Sequence, residues 1–140
     1  MSTHWSTRYI GTPYLDLGRS LAGVDCWGLP FVAYPAELGI TVPAYTGYAS
    51  TEELAEVDAV IAGATGSETW LAVDGRPREF DIAIFRLGHY RRHLGIVLSP
   101  GLMLHAHVDC TKIERYAVPK WQDRLVGTFR HAEMAARFAR

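Results

Sequence analysis

The first half of the chain carries hydrophobic residues at helical spacing, whereas the second half carries short alternating or continuous apolar runs. Over residues 25–37 one apolar face is formed by Leu29, Val32 and Ala33. Asp25 is a suitable N-cap, so the pattern predicts a helix over 25–37 that docks on a sheet. Prolines stand at positions 30 and 35, and Pro30 falls just past the tolerated first turn, so we expect this helix to kink or to start irregularly.

A second helix is predicted by a start signal followed by an apolar stripe. The segment Ser50-Thr51-Glu52-Glu53 matches a capping box, in which the first and last side chains satisfy each other's backbone N–H groups. Apolar residues then follow at helical spacing: Leu54, Val57, Val60 and Ile61. Gly63 is a typical stop signal. The sequence therefore predicts a surface helix at 51–62, inside a long insert over residues 40–78.

Four short apolar or alternating runs follow, at 81–86, 93–98, 102–108 and 125–130, and Gly and Pro separate them. They predict the strands of an antiparallel sheet. Helices that precede strands indicate an α+β fold in which the first helix packs across the sheet. The chain has 140 residues and no internal repeat or linker, so we expect a single domain over 1–140.

Composition narrows the possible partners. Fourteen basic residues against fifteen acidic ones give a formal net charge of −1, which lacks the basic footprint of a nucleic-acid binder. No apolar run approaches the roughly 20 residues of a membrane span, and the first residues do not resemble a secretion signal. We therefore expect synthesis as a soluble cytoplasmic protein. The two cysteines, Cys26 and Cys110, have unrelated surroundings and suit free thiols, although one disulfide stays open.

Cys26 falls in the first turn of the predicted helix, where free backbone N–H groups and the helix dipole favour a thiolate. Such positions lower a thiol pKa from about 8.5 to roughly 3.5–7.5, and the thiolate is the nucleophile. The same N–H groups can hold the oxyanion of a tetrahedral intermediate. The sequence thus favours a cysteine hydrolase over a buried structural thiol, and Cys110 is expected to be structural.

A thiol nucleophile needs a base, and the strand-forming half of the chain supplies candidates. His93 begins a predicted strand, and Gly95 allows close backbone approach beside it. His105 and His107 lie on one face of a strand, and either can orient the ring of His93. Spacing alone does not choose between them.

The polar residues also allow two other hypotheses, a metal site and a basic substrate-binding cluster. A metal site can be drawn from His89, His93, His105, His107, Asp109 and Cys110. The spacing has no paired metal-binding motif and leaves Cys26 without a role, so we expect no metal. A basic cluster is formed by Arg86, Arg91 and Arg92, and a solvated loop is favoured over binding of substrate carboxylates.

Five motifs, taken together, resemble those of the NlpC-type papain-like cell-wall cysteine peptidases, in order and spacing over roughly residues 8–130. They are Gly11-Thr12-Pro13-Tyr14, Gly23-Val24-Asp25-Cys26-Trp27-Gly28-Leu29, Asp81-Ile82-Ala83-Ile84-Phe85, His93-Leu94-Gly95-Ile96-Val97-Leu98 and Leu104-His105-Ala106. The resemblance implies a papain-like fold with no metal or organic cofactor. One departure is Glu79-Phe80, where the family has glycine before the Asp81 motif, so that edge of the sheet is expected to be rebuilt.

The resemblance also implies residue roles. Cys26 corresponds to the nucleophile, His93 to the base and His105 to the residue that orients the base. Tyr14 corresponds to a tyrosine that lines the site. Asp25 and Trp27, on either side of the cysteine, are expected to contribute to substrate binding.

The Asp-Cys-Trp-Gly-Leu variant, the following Glu37-Leu38-Gly39-Ile40, the insert with Tyr45 and Tyr48, and the closing 121–130 segment are most similar to the phage tail-assembly branch. This similarity implies bacterial peptidoglycan as substrate, cut between D-glutamate and a diamino acid, and phage tail-tip or hub proteins as partners. It also implies synthesis in the host cytoplasm and action in the host envelope from the virion tail tip. The alternatives are a structural tail-tip component with little activity, which would bind its partners through the 40–78 insert, and acyl transfer by the same thioester chemistry.

Overall fold

The centre of the fold is a six-stranded antiparallel sheet, seen in a computed structural model that describes residues 4–140. A two-stranded hairpin precedes it, made of β1 (Arg19–Ser20) and β2 (Gly23–Val24). The sheet consists of β3 (Trp70–Ala72), β4 (Ile82–Leu87), β5 (Tyr90–Ser99), β6 (Leu102–His107), β7 (Cys110–Arg115) and β8 (Leu125–His131). Their order across the sheet is β3-β8-β4-β5-β6-β7. The predicted α+β fold with an antiparallel sheet is confirmed.

Helices flank the sheet. They are α1 (Gly28–Leu38), α2 (Leu54–Thr65), α3 (Pro119–Gln122) and α4 (Ala132–Ala139), and a short 3-10 helix spans Trp5–Arg8. Within residues 4–140, none of these helices has the length and apolar character needed to cross a membrane.

Helix α1 begins at Gly28, three residues later than predicted, although Asp25 makes the contacts expected of its cap. Asp25 lies before the helix, and its carboxylate oxygen Oδ1 accepts the N–H of Gly28 at 2.9 Å. Leu29 and Phe31 donate their backbone N–H groups to the carbonyl oxygens of Asp25 and Trp27, four residues earlier. Pro30 has no N–H, so the corresponding bond to the carbonyl oxygen of Cys26 is not made. Pro35 is the proline inside the helix. The helix ends at Gly39, whose φ of 69° closes the C-terminus.

The predicted capping box of α2 does not form. The helix begins at Leu54, three residues later than expected, and its N-cap Glu53 makes no side-chain capping bond. The Ser50 hydroxyl instead accepts the N–H of Glu52 at 3.2 Å. Gly63 lies inside the helix, which continues to Thr65. This leaves Thr51 in the preceding turn, buried and free to take part in a different hydrogen-bond network.

Alternation along the strands separates two apolar cores. Ile82 and Ile84 of β4 pack with α1 and α2 in the larger core. Ala83 and Phe85 face the other way and pack with Trp121 of α3 in the smaller core. His93 lies directly opposite Phe85 in the β4–β5 pairing, so its side chain belongs with the smaller core.

The edge before β4 is built around Phe80, which occupies the position where the resembled family has glycine. Its φ is 72°, in the left-handed region that a side chain makes unfavourable. Burial offsets this cost, because the ring stacks on Trp5 with 4.3 Å between centroids and meets the edge of Tyr34. The Tyr34 hydroxyl also donates to the carbonyl oxygen of Phe80.

Candidate active site

Cys26 lies in the turn between β2 and α1. Its side chain is only 3% exposed, and Sγ lies 3.9 Å from the carbonyl oxygen of Arg92, the residue immediately before His93. The fold therefore brings together the cysteine turn and the start of the histidine strand, which are 66 positions apart.

The expected depression of the thiol pKa is not found. Burial, followed by the negative charge of Asp25, raises the pKa of Cys26 to about 12. The helix effect is weak because Cys26 precedes α1 rather than occupying its first turn. The N–H of Gly28, expected to help hold an oxyanion, is already bonded to Asp25. The resting thiol is accordingly protonated and needs a base before it can attack.

Asp25 anchors the cysteine turn. Its carboxylate is completely buried and accepts four hydrogen bonds. The donors are the backbone N–H of Leu17, the backbone N–H of Gly28, the guanidinium of Arg19 and the hydroxyl of Tyr48. These bonds hold both ends of the turn and saturate the carboxylate.

Arg19 connects this turn to the insert. All five of its N–H groups are engaged, and only one of them contacts Asp25, at 2.6 Å. The other acceptors are the carbonyl oxygens of Gly18, Ala44 and Tyr45 and the Tyr48 hydroxyl. A planar five-donor group suits this convergence of acceptors, which a lysine could not satisfy. The first part of the insert is thus linked to the cysteine turn through Arg19 and Asp25.

The two candidate orienting histidines are separated by their contacts. His93 Nε2 lies 2.8 Å from Nδ1 of His105, within hydrogen-bond distance. The ring of His107 stacks on His105, with 5.3 Å between centroids, and faces the neighbouring cleft. Gly95 permits close packing of β5 on β6, because a Cβ there would lie 2.6 Å from Sδ of Met103 and 3.2 Å from Cβ of His105. The glycine therefore serves the contact between β5 and β6.

Both paired histidines are neutral at physiological pH. Burial, reinforced by the neighbouring histidines and Arg92, holds the pKa of His93 well below its usual range. Burial lowers the pKa of His105 to about 4, although its hydrogen bond to Glu114 acts in the opposite direction. A neutral imidazole can accept a proton, so His93 is in the form that a general base requires.

A cleft of about 440 Å³ opens beside His93. Tyr14, Asp16 and Thr51 form one wall, where the Tyr14 hydroxyl donates to Thr51 at 2.9 Å and Thr51 donates to Asp16. Arg92 contributes a positive charge to the same cleft. Burial raises the pKa of Tyr14 above its ordinary value, so its hydroxyl remains a donor. The cleft thus offers groups of both charges next to the base.

The predicted substrate-binding residues occupy different places. Tyr14 lines the cleft, as expected of a residue that contacts substrate. Asp25 and Trp27 are 0% and 1% exposed and, like Cys26, are not among the residues that line the cleft. Among the predicted basic cluster, Arg91 is bound to Asp58, with Nε and Oδ1 2.7 Å apart, whereas Arg92 faces the cleft.

Three residues of the site carried no clear signal in the sequence. Thr51 was assigned to a helix, and Arg19 precedes the cysteine motif in a hairpin too short to predict. Glu114 lies on β7, a strand of mixed polar sequence that was not predicted at all. Its position nine residues after His105 would have indicated a contact only if the β6–β7 hairpin had been recognised.

Within residues 4–140, one group of three side chains could hold a metal ion. It consists of His105, His107 and Glu114, whose ligand atoms lie within 4.8 Å of one another. A metal there would take the Glu114 and His105 atoms out of the hydrogen bond that joins them. His89, Asp109 and Cys110, included in the metal hypothesis, lie outside this group.

The backbone resembles several solved structures. An NLP/P60 family protein similar to a lipoprotein from Staphylococcus aureus shares 24% identity over 90% of this chain, with a TM-score of 0.66. An NlpC/P60 family protein from Bacillus cereus shares 22% identity over 91%, with a TM-score of 0.68. This chain covers 38% of the length of each of them.

A third similar structure is the NlpC/p60 domain of the peptidoglycan hydrolase SagA, with 20% identity and a TM-score of 0.59. In that comparison 89% of this chain covers 90% of the domain. No curated protein matches the chain. The family model described as NlpC/P60 matches residues 11–130, which include Cys26, His93 and His105. The chain therefore belongs to the NlpC/P60 family.

Proposed function

We propose that this protein is a cysteine peptidase that hydrolyses peptide bonds in the stem peptides of bacterial peptidoglycan. The observation that carries the proposal is the hydrogen-bonded pair of His93 and His105 beside the buried thiol turn, at the head of an open cleft. Membership of the NlpC/P60 family and the fold shared with a peptidoglycan hydrolase domain support the same chemistry.

We propose a nucleophilic mechanism with His93 as base, supported by the approach of Cys26 Sγ to the backbone of Arg92, the residue before His93. The Cys26 proton passes to Nδ1 of His93, and the sulfur attacks the substrate carbonyl carbon to form a tetrahedral intermediate. The C–N bond then breaks as His93 returns the proton to the leaving amine, which leaves a thioester on Cys26. Water, deprotonated by His93, hydrolyses the thioester and restores the thiol. His105 holds the ring of His93 through both steps.

We propose cleavage between D-glutamate and the diamino acid as the specificity. Such a substrate presents carboxylates and an amine close to the bond that is cut. The cleft supports this choice because Arg92 can pair with a carboxylate, whereas Asp16 and Glu52 can pair with an amine.

Digestion of purified peptidoglycan, with muropeptides identified by mass spectrometry, tests the proposal. We expect products cut between the second and third stem residues, and loss of those products in Cys26→Ser. Cys110→Ser is the matched control, because it removes the other thiol, which is half-buried, and should leave cleavage unchanged. Equal hydrolysis by the wild type and by Cys26→Ser would refute the assignment.

We also propose that the peptidase is made in the host cytoplasm and acts from a phage tail tip on the host envelope. This proposal rests on the sequence similarity of the cysteine motif and the insert. Co-purification with phage tail-tip or hub proteins is the expected result, and a protein that binds none of them contradicts the placement. Normal assembly and infection by phages with Cys26→Ser would instead favour the structural role.

A further inference from the structure

Beyond the three residues expected from the sequence, a fourth side chain completes the hydrogen-bond chain. Oε1 of Glu114 lies 3.0 Å from Nε2 of His105, on the opposite side of that ring from His93. We propose that Glu114 is a positioning residue that fixes the ring protons of both histidines and so leaves Nδ1 of His93 free to accept the thiol proton. The inference rests on the proposed role of His93 as base.

The charge of Glu114 determines which nitrogen of His105 carries the proton. An ionised glutamate only accepts hydrogen bonds, so the nitrogen that faces it must carry a proton. Burial would raise the pKa of Glu114, but hydrogen bonds from Trp121 and His105 hold it below its ordinary value. The carboxylate is therefore charged at neutral pH, and His105 must carry its single proton on Nε2.

The tautomer of His105 then determines the tautomer of His93. Because neutral His105 has its proton on Nε2, its Nδ1 is an acceptor and requires a donor at 2.8 Å. Nε2 of His93 must supply that proton, which leaves Nδ1 of His93 with a lone pair. The opposite arrangement would place an unprotonated nitrogen of His105 against the carboxylate, with two acceptors only 3.0 Å apart.

Glu114 is itself held firmly. Its second oxygen accepts the indole N–H of Trp121 at 2.7 Å, and the Lys120 ammonium lies 3.9 Å from the same oxygen. The Trp121 ring in turn packs against both His93 and His105, with centroids 5.5 Å and 5.3 Å away. One residue therefore packs against the two rings and anchors the carboxylate that sets their protons. This convergence distinguishes Glu114 from a surface carboxylate that meets a histidine by chance.

The tautomers can be measured directly in the unaltered protein. Nitrogen-15 NMR of the histidine rings distinguishes protonated from unprotonated Nδ1 and Nε2. We expect both His93 and His105 to carry their proton on Nε2 at neutral pH. A proton on Nδ1 of either ring would overturn the proposal, and this result does not depend on how any variant folds.

Glu114→Gln tests the role of the charge. The amide has one acceptor oxygen for two donors, Trp121 and His105, so it either leaves one donor unpaired or turns its NH₂ group toward His105. In the second case both histidine tautomers reverse, and the proton on Nδ1 of His93 blocks the base. We expect a shift of the ring protons to Nδ1 and a fall of about 10²-fold in alkylation of Cys26 by iodoacetamide.

Glu133→Gln is the matched control, because Glu133 is a partly exposed carboxylate paired with Arg137 on α4. It should leave both the ring tautomers and the alkylation rate unchanged. The alkylation measurements use the Cys110→Ser background, so that Cys26 is the thiol that reacts, and neither measurement needs peptidoglycan. If His93 and His105 have the expected tautomers but peptidoglycan is not cut, the proposed function fails and the role of Glu114 stands. If Glu114→Gln is folded and keeps wild-type tautomers and alkylation, the role of Glu114 fails whatever the substrate.

Discussion

Replacement of Arg19 by Met tests whether the buried guanidinium holds the cysteine turn in place. The substitution keeps much of the apolar stem but removes every one of the five N–H donors. Asp25 would then be a fully buried carboxylate with no cation beside it. The carbonyl oxygens of Ala44 and Tyr45 would also lose the donor that ties the insert to the turn.

The expected loss in the free energy of unfolding follows from the burial of the Arg19–Asp25 pair. Removing one partner of a buried ion pair costs about 3–5 kcal/mol, because the remaining charge stays desolvated without compensation. The Arg19 and Asp25 side chains are 12% and 0% exposed, so this range applies to them. A domain of this kind is stable by only about 5–15 kcal/mol in total. We therefore expect Arg19→Met to lower the free energy of unfolding by about 4 kcal/mol, or the melting temperature by roughly 14 °C.

Urea unfolding followed by tryptophan fluorescence measures the change. Arg91→Met is the matched control, since the pair with Asp58 is 37% and 22% exposed and such pairs contribute about 0–1 kcal/mol. The reasoning is refuted if Arg19→Met loses less than about 1 kcal/mol, or if both variants lose the same amount.

Two further predictions concern the thiol and the sheet edge. In Cys110→Ser protein, ultraviolet absorbance should show no Cys26 thiolate at neutral pH, since the folded pKa is about 12. Because the unfolded thiol titrates near about 8.5, the protonated form stabilises the fold below that pH, and this contribution is lost as the pH rises toward 12; a thiolate signal at neutral pH would contradict the burial argument. At Phe80, where φ is 72°, Gly should be more stable than Ala by about 1 kcal/mol in urea unfolding, because an L-residue strains this backbone and Gly does not. Both should be less stable than the wild type by roughly 2–5 kcal/mol through loss of the buried ring, and a more stable Ala variant would show that the backbone is not strained.

The spacing of hydrophobic residues predicted four of the strands and the first two helices. The alternating runs correspond to β4, β5, β6 and β8, and the first two helices exist where apolar spacing placed them. Both helices begin three residues later than predicted: Asp25 accepts the N–H of Gly28 as a cap would, but the capping box of Ser50 and Glu53 does not form. Asp25 is also bound by Arg19 and Tyr48, and spacing does not reveal these tertiary contacts. The strands β3 and β7 were missed because one has three residues and the other is largely polar.

The sequence by itself determined the fold class, the family and the candidate nucleophile with its histidines, because these depend on residue type and order along the chain. Only the tertiary structure decided how those groups are charged and which of them meet. Burial of Cys26 raises its pKa where helix position alone suggested the reverse. The pairing of β6 with β7 brings Glu114 to His105, and this contact sets the polarity of the histidine pair. Desolvation and strand register arise from distant segments packed together, so no local pattern contains them.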